Sequence, residues 1–204
     1  KQRHMVFLGI GGIGMSALAR HYLRLGSAVF GYDKSRTRIT SALEQEGAQI
    51  CYNEDLSQYP GWESEETTVI YTPAVPEKLA WFNFFKAYSP IKRAQALALI
   101  ANDHKCIAIA GTHGKTSTSA MLVHLMDQAG LDPTAFIGGI MAQTSTNYRF
   151  GSSDFIIVEA DEFDRSLLYL KPWASAVTTV DADHLDIYSD GKDLLDTFDA
   201  FVKQ

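Results

Sequence analysis

Cysteine is scarce in this chain. Cys51 and Cys106 are the only two in 204 residues. They stand far apart and without metal-ligand spacing, which excludes a disulfide framework and a cysteine-based zinc site. Two reduced structural thiols are expected, in a reducing, cytoplasmic compartment. Positive charge is also short. With 18 Lys and Arg against 24 Asp and Glu the net charge is −6, which argues against a nucleic-acid surface. No apolar run approaches the roughly 20 residues needed to span a bilayer. The apolar stretch from Met5 to Met15 is interrupted by glycines and lacks a small-residue cleavage site, so it is not a signal peptide. Internal repeats and low-complexity tracts are missing too. The chain begins at Lys1 without a methionine and ends at Gln204 inside a helical pattern, so a fragment of a longer protein is expected.

What is present is organised around residues 106–118, Cys-Ile-Ala-Ile-Ala-Gly-Thr-His-Gly-Lys-Thr-Ser-Thr. The apolar run Cys106 to Ala110 predicts a buried strand. It breaks at Gly111. Gly114, Lys115 and Thr116 follow, and then a helical pattern with Met121, Leu122, Leu125, Met126 and Ala129 as its apolar stripe. Strand, glycine turn, lysine, hydroxyl and helix is the layout of a phosphate-binding loop. The first turn of a helix carries unpaired N–H groups and partial positive charge, and so attracts phosphate. Lys115 adds a full charge toward the outer phosphates, and the Thr116 hydroxyl can serve Mg2+. The general pattern wants a glycine five residues before Gly114, where Ile109 stands, so this loop is a shortened one.

A second glycine pattern opens the chain. Met5 to Ile10 predicts a strand, and Gly9, Gly11 and Gly14 fall in GxGxxG spacing. A helix with Met15, Leu18, Ala19, Tyr22 and Leu23 inside follows, then a strand over Ala28 to Tyr32 ending at Asp33. This is the first half of a Rossmann-like fold, with Asp33 placed to accept hydrogen bonds from a ribose or base. A helix is expected over Thr37 to Gly47. A strand over Thr67 to Tyr71 runs into Thr72-Pro73-Ala74 at the crevice edge. Trp81, Phe82, Phe84 and Phe85 read as core, Ile91 to Arg93 as a short strand, and Gln95 to Asn102 as a helix. The polar stretch from Asn102 to Lys105 sets the expected domain boundary, giving residues 1–102 and 103–204.

In the second half, Ala135 to Ile140 predicts a strand ending in a turn at Gly138-Gly139, and Gln143 to Gly151 a loop. Phe155 to Val158 predicts a buried strand that delivers Glu159, and Ala176 to Val180 one that leads to Asp181, Asp183, His184 and Asp186. Successive strand ends of a parallel sheet lie along one edge, so Thr116, Glu159 and His184 can converge on phosphates held by Lys115. An acid after an apolar strand downstream of the lysine loop is the usual magnesium ligand. Oxygen ligands suit Mg2+, and the histidine would suit Mn2+ or zinc better. Asp161, Glu162, Asp164 and Asp186 are too many acids for one metal shell and read as solvated or paired with Arg165 and other cations. His4, His21, His104 and His124 read as structural or surface residues.

These residues resemble the Mur ligases of peptidoglycan synthesis. Gly111-Thr-His-Gly-Lys-Thr-Ser is similar to their shortened ATP loop. Glu159-Ala-Asp-Glu-Phe-Asp-Arg-Ser and Asp181-Ala-Asp-His-Leu-Asp are similar to their metal-binding segments. Gly9-Ile-Gly-Gly-Ile-Gly-Met-Ser is most similar to the member that adds L-alanine, with the related ligase for recycled tripeptide as the alternative. The resemblance runs the length of the chain. It implies an α/β protein: a Rossmann-like parallel-sheet domain followed by part of a P-loop-type central domain, with a third, carboxy-terminal domain not matched here. It also implies binding of UDP-N-acetylmuramate through Gly11, Gly12, Ile13, Gly14, Asp33, Thr72, Pro73 and Ala74. ATP would be bound through Gly111, Thr112, His113, Gly114, Lys115, Thr116 and Ser117. Thr116 and Glu159 would hold one magnesium and His184 a second, with Lys115 and His184 catalytic. The implied reaction phosphorylates a carboxylate with ATP and lets the amino group of L-alanine displace phosphate from the acyl phosphate; this fragment by itself is expected to be inactive. Two readings from other classes compete. An NAD or nucleotide-sugar dehydrogenase leaves the lysine loop unexplained, and a non-catalytic nucleotide-binding module lacks only the chemistry.

Overall fold

The computed structural model describes residues 3–142, 144–181, 188 and 191–204. The chain divides into two compact units, Lys1–Ala96 and Leu97–Gln204.

The first unit alternates strands and helices: β1 (His4–Leu8), α1 (Ile13–Arg24), β2 (Ala28–Tyr32), α2 (Arg38–Gln45), β3 (Gln49–Cys51), β4 (Thr67–Tyr71), α3 (Ala80–Phe85), β5 (Ile91–Lys92) and the start of α4 (Arg93–Ala101). Its sheet has the order β3-β2-β1-β4-β5, every pair parallel. Order reverses beside β1, and ligand crevices of such sheets open at that reversal. Central strands with helices on both faces must be apolar throughout, and Met5, Val6, Phe7 and Leu8 are all buried. Phe30, Val69, Trp81, Phe82 and Phe85 pack against Val6 and Leu8 on one face of the sheet. The Trp81 indole N–H is satisfied by the Asn53 carbonyl at 2.7 Å. α2 starts on a reciprocal cap, in which Thr37 and Thr40 each accept from the other's backbone N–H. Strand β3 has only three residues, too few to show a periodicity, and was not legible in the sequence.

The second unit holds β6 (Lys105–Ala110), α5 (Lys115–Gln128), β7 (Thr134–Met141), β8 (Thr146–Arg149), β9 (Phe155–Glu159), β10 (Ala174–Val177) and α6 (Gly191–Val202). The sheet order is β10-β6-β9-β7-β8, parallel except for the last pair. Four sequence expectations change here. Strand β7 continues through Gly138-Gly139 instead of turning, because β8 pairs with it as far as Met141, with a register shift between Phe136 and Met141. That pairing also converts part of the expected 143–151 loop into a strand. Strand β10 begins and ends earlier than expected, and Thr178 and Thr179 serve the neighbouring loop instead. Finally, α5 buries Ser119, Val123 and Met126 and leaves Met121 and Leu125 exposed. The two exposed residues join His124, Met141 and Ala142 along a shallow apolar groove.

Both cysteines are free and buried. Burial pushes the Cys106 thiol up to about 12, so it is inert at neutral pH. Among the described residues, no helix is long and apolar enough to cross a membrane.

Candidate functional site: a lysine loop between two strand ends

The loop between β6 and α5 is shaped by its glycines. Gly111 has φ +126°, and a Cβ there would lie 2.2 Å from Thr178 Oγ1 and 2.9 Å from the Thr179 nitrogen. Gly114 has φ +83° and leads directly into α5. Neither conformation suits an L side chain. From the other side, the segment after β10 fastens the loop. The Thr112 N–H donates to the Thr179 carbonyl at 2.8 Å, and the His113 N–H donates to Thr179 Oγ1 at 3.1 Å. The Thr178 hydroxyl donates to the carbonyls of Ala110 and His113, and the Asp181 N–H donates to Thr112 Oγ1 at 3.0 Å. The turn therefore has a fixed shape with the α5 N-terminus behind it.

Register brings the acid to the loop. Ile109 lies opposite Glu159, and Ala110 lies opposite Val177, so β6, β9 and β10 end level. Thr116 Oγ1 donates to Glu159 Oε2 at 3.0 Å. The Gly138 N–H donates to Glu159 Oε1 at 2.7 Å. This explains the paired glycines inside β7. A Cβ at Gly138 would lie 2.6 Å from Glu159 Oε2, and one at Gly139 would lie 2.9 Å from Thr116 Cγ2. They are close-approach glycines beneath the hydroxyl and the carboxylate. Burial raises the Glu159 pKa above its ordinary value, against the opposing pull of the Gly138 N–H, Thr116 and Lys115.

Lys115, 17% exposed, directs its ammonium at the Gly111 carbonyl and at Glu162, whose oxygens lie at 2.9 and 2.7 Å. Of the two expectations for Glu162, solvation or pairing with Arg165 or another cation, the second holds with Lys115 as the cation, and the carboxylate is 2% exposed. Arg165 pairs with Asp193 at 2.8 Å instead. A run of acids looks solvated in sequence, and only the turn after β9 reveals which one faces inward. Ser117 follows in the first turn of α5. His184, Asp183 and Asp186, and the Asp164 side chain, lie outside the described residues.

Thr116 and Glu159 are oxygen donors of the kind a hard cation takes. Among the described residues no three His, Cys, Asp or Glu side chains gather into a metal-binding group. The donor set fits an ion that keeps waters and binds phosphate oxygens, as Mg2+ does, and not one caged by protein alone.

In the first unit the turn after β1 is held by β2, with the Gly9 and Ile10 N–H groups donating to the Tyr32 carbonyl at 2.8 and 3.1 Å. Asp33 accepts from the Gly11 N–H at 2.7 Å and from the Ser35 N–H at 3.2 Å. It thus ties the glycine turn to the end of β2, a role the sequence did not show. A Cβ at Gly9 would lie 2.6 Å from Thr72 Cγ2, so the turn at Thr72-Pro73-Ala74 adjoins the glycine turn. Sequence reasoning also passed over Arg93. A Cβ at Gly14 would meet its Cδ at 2.9 Å, which places a cation beside the first turn of α1.

Comparison with known proteins decides the family. The Mur ligase family, catalytic domain, matches residues 4–105, and the Mur ligase middle domain matches residues 109–204. The chain belongs to the Mur ligase family. It is 44% identical over 98% of its length to the UDP-N-acetylmuramate–L-alanine ligase of Christiangramia forsetii, and 45% identical over the same share to that of Flavobacterium psychrophilum. It spans only 45% of each of these relatives. Two solved Mur ligases share its fold. The UDP-N-acetylmuramate-alanine ligase of Thermotoga maritima aligns at TM-score 0.86 and 29% identity, over 98% of this chain and 47% of that one. The UDP-N-acetylmuramate:L-alanyl-gamma-D-glutamyl-meso-diaminopimelate ligase of Neisseria meningitides aligns at 0.88 and 25% identity, over 100% and 68%.

Proposed function

We propose that the complete chain is a cytoplasmic, ATP-dependent ligase that joins L-alanine to UDP-N-acetylmuramate during peptidoglycan precursor synthesis. The supporting observation is the meeting of Lys115, Thr116 and Glu159 at level strand ends. It occurs in a Mur ligase most of whose length matches proteins named for this reaction. We assign residues 1–102 to the UDP-substrate domain and 103–204 to part of the ATP domain.

A carboxylate is a poor electrophile for an amine, so it must first be activated. One lactyl carboxylate oxygen attacks the γ-phosphorus of ATP, and ADP leaves. The amino group then attacks the acyl carbon, and inorganic phosphate leaves with that oxygen. Lys115 and the α5 N-terminus offset charge on the transferring group. Thr116 and Glu159 would hold Mg2+, which supplies charge neutralisation between the two anions when bound. In the first unit, the α1 N-terminus with Gly11, Gly12, Ile13 and Gly14 would take the UDP diphosphate, with Arg93 adding positive charge. Asp33 and Thr72 to Ala74 would border the nucleoside.

Attachment of a recycled tripeptide is the second reading, because the Neisseria enzyme named for that peptide matches the fold as well as the alanine ligase does. Phosphate release by the complete chain with UDP-N-acetylmuramate, ATP and a panel of amino acids plus the tripeptide separates them. L-alanine should support the fastest turnover, and a tripeptide preference reverses the assignment. Lys115→Ala should cut turnover with either acceptor by several orders of magnitude, to a small residual rate, and near-normal turnover would remove the lysine from the mechanism.

A further inference from the structure

A phosphate-binding loop has no general need of a buried acid against its lysine, yet Glu162 is 2% exposed and faces Lys115 with both oxygens. Its backbone is fixed as well. The Glu162 carbonyl accepts from the Tyr188 hydroxyl and from the Arg165 N–H at 3.0 Å. The ammonium donates to both Glu162 oxygens and to the Gly111 carbonyl, with the Thr112 carbonyl at 3.5 Å as a fourth acceptor, so all three of its N–H groups are engaged. A carboxylate this deeply buried is costly unless paired, and removing either partner strands the other charge. Such a pair is retained where it holds a charge in one place.

Resting on the reading of residues 111–117 as the ATP site, we propose that Glu162 is a positioning residue for phosphoryl transfer. It holds the Lys115 ammonium aimed across the mouth of the loop. It then yields one N–H to the nucleotide when phosphate arrives. Glu162 itself touches neither substrate nor metal in this scheme.

The charge of Glu162 opposes the charge of ATP. Neutralising it therefore does not weaken anion binding, but it does release the lysine from its direction. In the complete chain, Glu162→Gln should lower kcat about a hundred-fold, the scale of a misplaced catalytic group, with KM for ATP unchanged or lower. Glu162→Asp keeps the charge one methylene short and should recover part of kcat. The deciding comparison is a double-variant cycle. If Glu162 acts only through Lys115, K115A/E162Q turns over no more slowly than K115A alone. That double variant removes both charges, so it leaves no stranded ion and stays measurable even if E162Q folds poorly. The proposal is overturned if folded E162Q keeps kcat within about two-fold of the parent, or if the two losses multiply in the double variant. An active K115A would instead bring down the ligase reading itself. A K115A reduced to its residual rate beside a fully active E162Q would bring down only the role of Glu162.

Discussion

Glu159 sits where two demands oppose each other. Burial favours its neutral acid, while the Gly138 N–H, the Thr116 hydroxyl and the Lys115 charge favour the anion, and burial is the larger effect. A carboxyl whose pKa is higher in the folded state stabilises the fold most below its unfolded pKa. That contribution disappears as pH rises through the folded value. Glu159→Gln carries no charge at any pH. The melting temperature of the variant should therefore gain on that of the parent as pH is raised from about 4 to 7, while turnover is lost. A gap that stays constant over this range would mean that the buried anion is already fully compensated. Strain of this sort fits a ligand site, because a bound cation would relieve it. At the same scale, the sequence revealed Lys115, Thr116 and Glu159 through their places after strands. It did not reveal Glu162, since nothing in a run of acids says which one turns inward.

At the scale of elements, β7 carries the lesson. Two adjacent glycines in an apolar run read as a turn, because glycine usually ends a strand. Here they continue the strand, and their missing side chains leave room for Glu159 and Thr116. Gly138→Ala should displace the carboxylate, whose Oε2 would lie 2.6 Å from the new Cβ. We expect turnover to fall about ten-fold or more, as for other small misplacements of catalytic groups. Circular dichroism should show the fold intact. Full activity in this variant would mean that the Gly138–Glu159 contact does not set the carboxylate's position. The helix α5 was misread for a related reason. Its apolar residues occupy two faces, and periodicity alone could not tell that Val123 and Met126 meet the sheet while Met121 and Leu125 do not. Strands β2 and β4, by contrast, fall where the sequence puts them, because their apolar runs end at Asp33 and at Thr72-Pro73.

At the scale of the molecule, the alternation of strands, glycine turns and helices was legible, and so was the α/β class. The antiparallel β7–β8 edge was not, since Thr146 to Arg149 is short and polar and its pairing is long-range. Both units set a glycine turn at the end of a strand and a helix N-terminus after it, the arrangement that attracts phosphate. We propose that the γ-phosphoryl group of ATP, held at the Lys115 loop, passes to a carboxylate oxygen. The direct measurement uses the complete chain and UDP-N-acetylmuramate carrying ¹⁸O in its lactyl carboxylate. With ATP and L-alanine, the inorganic phosphate released should contain one ¹⁸O from the substrate, and Lys115→Ala should release it only at a small residual rate. Phosphate free of ¹⁸O, formed at the same rate as the amide, would contradict the account.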